Sequence, residues 1–266
     1  MARCWPSLAT RRDCLWEWNG STWTQNGATG PAARYYATTQ TLGDDIYLFG
    51  GWSQADVALG DTWQWSGSSW KELAVNGPSA RDAAASAVVG GKLVLFGGWE
   101  TGALSDTWQW DGTAWTQDSV TGPSARSGAG AALLGGNLVL FGGFTADTWE
   151  WNGTLWSSLA VDGPSARWGA AAATLGGKMV VFGGGTSDNV TYFGDTWTFD
   201  GASWSQVASA GPSARAGAAV AAYDGKVVLF GGTDDLDDTW TWDGSSWMQL
   251  GVPGPSARQF ASAATF

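Results

Sequence analysis

Six arginines, Arg34, Arg81, Arg126, Arg167, Arg215 and Arg258, each close a Gly-Pro-x-Ala-Arg motif, and the whole chain holds nine. A guanidinium fork accepts carboxylates and other oxyanions in a bidentate fashion, so this column could hold an anionic ligand. Five aspartates, Asp61, Asp106, Asp147, Asp195 and Asp238, each open a third-strand segment, Asp-Thr-Trp in every copy. They could neutralise the arginines instead, because an unpaired cluster of guanidinium groups is costly to bury. The residues by themselves leave both readings open.

Other chemistry is excluded by composition. The 266 residues contain no histidine. Catalysis by a histidine base, Ser-His-Asp and Cys-His nucleophiles, and every metal site that needs imidazole are therefore ruled out. A net charge of −11 would repel a polyphosphate backbone, so no nucleic-acid partner is expected. No apolar run is long enough to span a membrane, and residues 1–13 lack the unbroken apolar stretch of a signal peptide, which leaves the compartment open and no membrane partner expected. Cys4 and Cys14 could form at most one bridge near the amino terminus. The run Asp234-Asp235-Leu236-Asp237-Asp238 lacks the ligand spacing and turn glycine of a calcium loop and reads as a solvated acidic loop. No metal or cofactor is expected.

The elements that position these residues repeat. Successive motif arginines lie 41 to 48 residues apart, which fits six units into the chain. Each unit begins with a small-residue strand such as Ala83–Ala87 that runs to a Gly90-Gly91 turn. Lys92-Leu93-Val94-Leu95-Phe96 follows as a strand buried on both faces and ends at Gly97-Gly98. After a loop of variable length, Asp106-Thr107-Trp108-Gln109-Trp110 alternates with period two, and Asp111-Gly112 turns the chain into a last strand near Trp115. Four short antiparallel strands per unit, with no helical periodicity, indicate an all-β propeller.

These residues, Gly-Pro-Ser-Ala-Arg, Val-Leu-Phe-Gly-Gly and Asp-Thr-Trp-x-Trp-Asp-Gly-x-x-Trp, resemble the kelch repeat of the galactose-oxidase-like propeller superfamily over nearly the whole chain. The expected fold is a six-bladed β-propeller of four-stranded antiparallel blades in one domain, 1–266. Blades are placed at about 30–76, 77–121, 122–162, 163–210 and 211–253, with the sixth built from 254–266 and 1–29. The ring would close by pairing the amino-terminal strands around Trp16–Trp23 with a carboxyl-terminal strand, Gln259–Phe266. No Val-Leu-Phe-Gly-Gly strand precedes Trp16; either Cys4–Thr10 takes that place or the blade is thin. The resemblance also implies that the tryptophan columns pack between blades, and that the arginines ring one mouth of the central channel, where kelch proteins often bind ligands. It does not carry over copper oxidation, since that centre needs histidine ligands.

Near-identical units show what differs where all else repeats. The residue after the arginine runs Tyr35, Asp82, Ser127, Trp168, Ala216, Gln259, and the residue after the double glycine runs Trp52, Trp99, Phe144, Gly185, Thr233. Variable residues and loops on a rigid scaffold are where binding usually sits. The expected ligand site therefore comprises the six arginines with Tyr35, Asp82, Trp168, Gln259, Trp52, Trp99 and Phe144. A non-catalytic monomer binding an acidic peptide, protein or glycan is the first expectation. A multivalent lectin with one carbohydrate site per blade is an alternative. A copper-free isomerase or specifier-like enzyme using a carboxylate such as Asp82 is another.

Overall fold

The computed structural model of the chain describes residues 2–3 and 15–266, apart from 189, 208 and 209. Cys4, Cys14 and the segment Cys4–Thr10 lie outside the described residues. The first sheet is three-stranded: β1 (Ala2–Arg3), β2 (Leu15–Trp18) and β3 (Trp23–Asn26), in that order. Blade 1 follows with β4 (Arg34–Tyr35), β5 (Thr38–Leu42), β6 (Asp45–Ser53), β7 (Ala58–Trp65) and β8 (Trp70–Leu73). Blade 2 has β9 (Ala85–Val89), β10 (Lys92–Phe96), β11 (Thr107–Trp110) and β12 (Trp115–Asp118). Blade 3 has β13 (Ala129–Leu134), β14 (Asn137–Gly142), β15 (Thr148–Trp151) and β16 (Trp156–Leu159). Blade 4 has β17 (Ala171–Leu175), β18 (Lys178–Phe182), β19 (Thr196–Phe199) and β20 (Trp204–Val207). Blade 5 has β21 (Ala219–Tyr223), β22 (Lys226–Phe230), β23 (Thr239–Trp242) and β24 (Trp247–Leu250).

The propeller thus has five blades, not the six expected. Six arginine motifs do not bring six four-stranded sheets, because residues 259–266 form no strand. The carboxyl-terminal pairing expected to close the ring is likewise absent. β1 pairs Ala2 with Trp16 and Arg3 with Leu15, so among the described residues Glu17 and Trp18 have a strand partner only in β3. Side chains hold the carboxyl-terminal segment between its neighbours: the Thr39 hydroxyl donates to the Ala263 carbonyl at 3.0 Å and the Thr265 hydroxyl to that of Ala222 at 2.7 Å.

Tryptophan packing explains the rest. Trp65, Trp110, Trp151, Phe199 and Trp242, the fifth residue of each Asp-Thr-Trp-x-aromatic run, are almost fully buried between sheets. Burying each such ring contributes a few kcal/mol, on the order of 2–3. In blades 2 to 5 the first tryptophan of the last strand reaches the preceding blade: Trp115 Nε1 donates to the Thr62 hydroxyl at 3.0 Å, Trp156 to Thr107 at 2.9 Å, Trp204 to Thr148 at 3.0 Å and Trp247 to Thr196 at 2.9 Å. The same indoles explain the motif glycine. A Cβ on Gly77 would lie 2.6 Å from the Trp115 ring, and one on Gly122 2.5 Å from Trp156.

Candidate functional site

The double glycine, the arginine and the aspartate form one unit in each blade. Gly97 has φ +64 and passes so close to the next blade that a Cβ would sit 2.5 Å from the Arg126 carbonyl oxygen. The following N–H, Gly98, donates to that same carbonyl at 2.9 Å, and the matching bond recurs from Gly51, Gly143, Gly184 and Gly232. Each of the first five arginines donates from Nη1 to the carbonyl of the first glycine in its own blade at 2.9–3.0 Å. From Nη2 it donates to the second oxygen of the blade's aspartate at 2.8–3.1 Å. The aspartate also accepts from the next tryptophan, with Trp63, Trp108, Trp149, Trp197 and Trp240 donating Nε1–H at 2.6–2.7 Å.

Burial acts to raise the carboxyl pKa of these aspartates, but the hydrogen bonds and charge of the arginine, with the bond from the tryptophan, outweigh it and hold all five below the usual range. The arginines are 1–4% exposed. The forks of the first five are filled by the aspartates, and all six arginines lie beneath the surface. Arg258 is equally buried, with Nε donating to the Ser256 carbonyl at 2.8 Å and its guanidinium over the Phe230 ring.

A second ring sits on this frame. The residue two past each arginine lies in the left-handed region: Tyr36, Ala83, Gly128, Gly169, Gly217 and Phe260 have φ between 50 and 64. Their backbones form a closed cycle in which each N–H donates to the carbonyl of the preceding sector. Ala83 donates to Tyr36 at 3.0 Å, Gly128 to Ala83, Gly169 to Gly128 and Gly217 to Gly169 at 2.8 Å, Phe260 to Gly217 at 2.7 Å and Tyr36 to Phe260 at 2.9 Å. This cycle surrounds a mouth cavity of about 160 Å³ lined by Tyr36, Phe260 and the small residues of the first strands.

The two variable columns meet here, blade by blade. Tyr35 pairs with Trp52, Asp82 with Trp99 and Trp168 with Gly185, and Thr233 N–H donates to the Ala216 carbonyl. Aromatic rings run across the mouth: Tyr35 against Tyr36 at 5.2 Å, Tyr36 stacked on Phe260 at 4.1 Å, Phe260 near Trp168 at 6.0 Å, and Trp168 near Phe144 at 6.2 Å. Trp99 and Phe144 are 45% and 46% exposed, while Trp52 and Gln259 are half-buried. Tyr36 and Phe260 were not among the expected site residues. Two rings in a column otherwise made of Ala83 and glycines were the available signal, one position beyond the comparison that found Tyr35 and Gln259.

Asp82 differs from the five paired aspartates. It is 9% exposed, and among the described residues no ion-pair partner reaches it. Burial pushes its pKa up to about 6. Burial likewise raises the Tyr36 phenol, helped by the negative charge of Asp82 and the nearby Tyr35 and Tyr192. Among the described residues no group of three or more Asp, Glu or Cys side chains could hold a metal ion, including Asp234–Asp238. None of their helices is long and apolar enough to cross a membrane.

The model of the KLHDC2/KLHL20/DRC7 Kelch-repeats domain matches residues 8–143 and 113–266, which together take in almost the entire chain. The chain belongs to the kelch-repeat family. No curated protein matches it. Kelch domains generally mediate protein–protein interaction. In this kelch chain Tyr35 and Trp52, and Asp82 and Trp99, are backbone-paired, and Trp99 and Phe144 carry the exposed rings.

Proposed function

We propose that this kelch propeller is a non-catalytic interaction module that binds a protein partner on its channel-mouth face. The observation that carries this reading is the pair of rings Trp99 and Phe144, each nearly half exposed on loops of neighbouring blades. Large apolar rings clustered at one rim, on a scaffold otherwise closed by hydrogen bonds, are characteristic of a recognition surface. The stacked row from Tyr35 to Phe144 is pre-ordered, which lowers the entropy lost on binding.

The geometry moves the reading away from an acidic ligand, because the arginine forks of five blades are already filled by aspartates. A lectin with one site per blade draws no support from the repeated tryptophans, which are engaged in packing between sheets and in bonds to the aspartates. An acid–base enzyme would have to rest on Asp82, whose ionisable neighbour Tyr36 is held protonated at neutral pH.

A displayed library of random peptides, panned on the purified protein and on a Trp99→Ala/Phe144→Ala variant, tests the reading. Selection of a consensus by the wild type and its loss in the variant are expected. No consensus, or the same consensus with both proteins, would refute it.

A further inference from the structure

Among the described residues the charges of the loops around the mouth are one-sided. The loops that follow the double glycines, residues 52–60, 99–105, 144–146, 185–194 and 233–237, carry Asp56, Glu100, Asp188, Asp234, Asp235 and Asp237 and no lysine or arginine. The arginines below them are buried and, in five blades, matched by aspartate. Lys92, Lys178 and Lys226 open β10, β18 and β22 at the ends farthest from the mouth, and Lys71 lies near the start of β8. Among the described residues the loops of the mouth face are therefore acidic, within a chain whose net charge is already −11.

At the rim, Asp82 is a carboxylate more than nine-tenths buried among rings, with no cation beside it in the described residues. Tyr35 and Tyr36 are close enough to feel its charge, and its backbone pairs with that of Trp99, whose ring is exposed. A buried carboxylate without a counter-charge is costly unless something supplies one. Aromatic rings beside such a carboxylate attract a cation through their faces as well.

Resting on the binding face proposed above, we infer that the mouth takes the lysine or arginine side chain of a positively charged segment of the partner protein. Asp82 is the counter-charge, and the rings of Tyr35, Tyr36 and Trp99 flank the cationic head. The acidic loops steer the basic segment toward the mouth. The groups that feel the charge of Asp82 are Tyr35 and Tyr36 from blade 1; Asp56 from the blade 1 loop acts on Tyr35, and Tyr192 from blade 4 acts on Tyr36. Burial shifts the Asp82 carboxyl toward neutral pH, so binding of the basic segment should weaken as pH falls below 6.

The composition of the selected peptides tests this. The consensus should contain lysine or arginine and be poor in glutamate and aspartate. The best basic peptide should bind Asp82→Asn about tenfold more weakly, and the loss should be matched when its lysine is acetylated. Asp82→Ser, the residue type found at Ser127 in the same column, keeps the test open should the asparagine variant fail to fold. A consensus that is acidic or uncharged, or binding unchanged in both Asp82 variants, would overturn this inference while leaving the binding face intact. Loss of all selection would overturn both.

Discussion

The backbone N–H of Tyr36 donates to the Phe260 carbonyl at 2.9 Å while their side chains stack at 4.1 Å, so the last repeat motif is joined to the first twice over. Both residues pay for this with a left-handed backbone, φ 57 in each. The join is completed without a closing strand, since residues 259–266 form none.

Backbone and ring make separable contributions to that join. Phe260→Gly keeps the N–H and relieves a left-handed conformation worth about 1–2 kcal/mol, offsetting a lost ring stack of about 0.5–1.5 kcal/mol. It should change stability by no more than about 1 kcal/mol. Phe260→Pro removes the donor and forbids the required φ, and should cost about 3 kcal/mol or more. Urea unfolding of the two variants checks the contrast; equal losses would mean that the ring, not the cycle of hydrogen bonds, holds the ends.

Arg81 donates five hydrogen bonds, two to Asp106, one to Gly97 and two to Ser79. Arg81→Ala strands the Asp106 carboxylate and the Gly97 carbonyl, and should cost about 3–5 kcal/mol. Arg81→Lys keeps the charge but not the planar fork, and should recover less than half of that. Equilibrium denaturation separates the two; a loss below about 1 kcal/mol for the alanine variant would put the pair in the class of surface ion pairs.

The five paired aspartates set an acid limit. Their pKa values in the folded protein lie below the usual range, near 3.9 for an unfolded chain, so the unfolded state takes up protons first as pH falls. Their stabilisation is fully present above about pH 4 and is lost as pH drops through the folded values. The urea midpoint should hold on this account down to about pH 4 and fall steeply below it. A midpoint unchanged at about pH 3 would show that the arginine pairs do not matter to folding.

Asp82 works in the opposite direction. Its folded pKa of about 6 is above that of an unfolded aspartate, so the folded state binds the proton more tightly and Asp82 destabilises the protein when ionised. Asp82→Asn should raise stability at pH 7 by about 1–3 kcal/mol, with the gain shrinking as pH falls from 6 to 4. Thermal melts at the two pH values test it. A variant less stable than the parent at pH 7 would mean that the carboxylate is satisfied within the fold.

Repetition decided what the sequence could reveal. Trp110 and its column mates were legible as packing residues because each recurs at a fixed place between a turn and a strand. The arginine column and the aspartate column were legible as two possible roles for one residue type, and the fold closes Arg81 on Asp106. The blade number was misread because Arg258 heads a sixth motif whose segment, up to Phe266, finds no adjacent strand to pair with, while β1 covers just Leu15 and Trp16. Tyr36 and Phe260 were missed because their function depends on a backbone conformation, φ above zero, that side-chain patterns do not report.

Phe144 combines strain with exposure. Its φ is 74, in a region that favours glycine, yet the position holds a ring 46% exposed and set against Trp168. Folding gains little from such a residue, and sites that hold strained side chains at a surface tend to be functional. Phe144→Gly should therefore stabilise the protein by up to about 1 kcal/mol while weakening capture of the selected peptides. Denaturation and peptide titration on the same variant decide the matter. If stability falls and binding is kept, the ring serves the short blade 3 loop; if stability rises and binding is lost, it serves the partner.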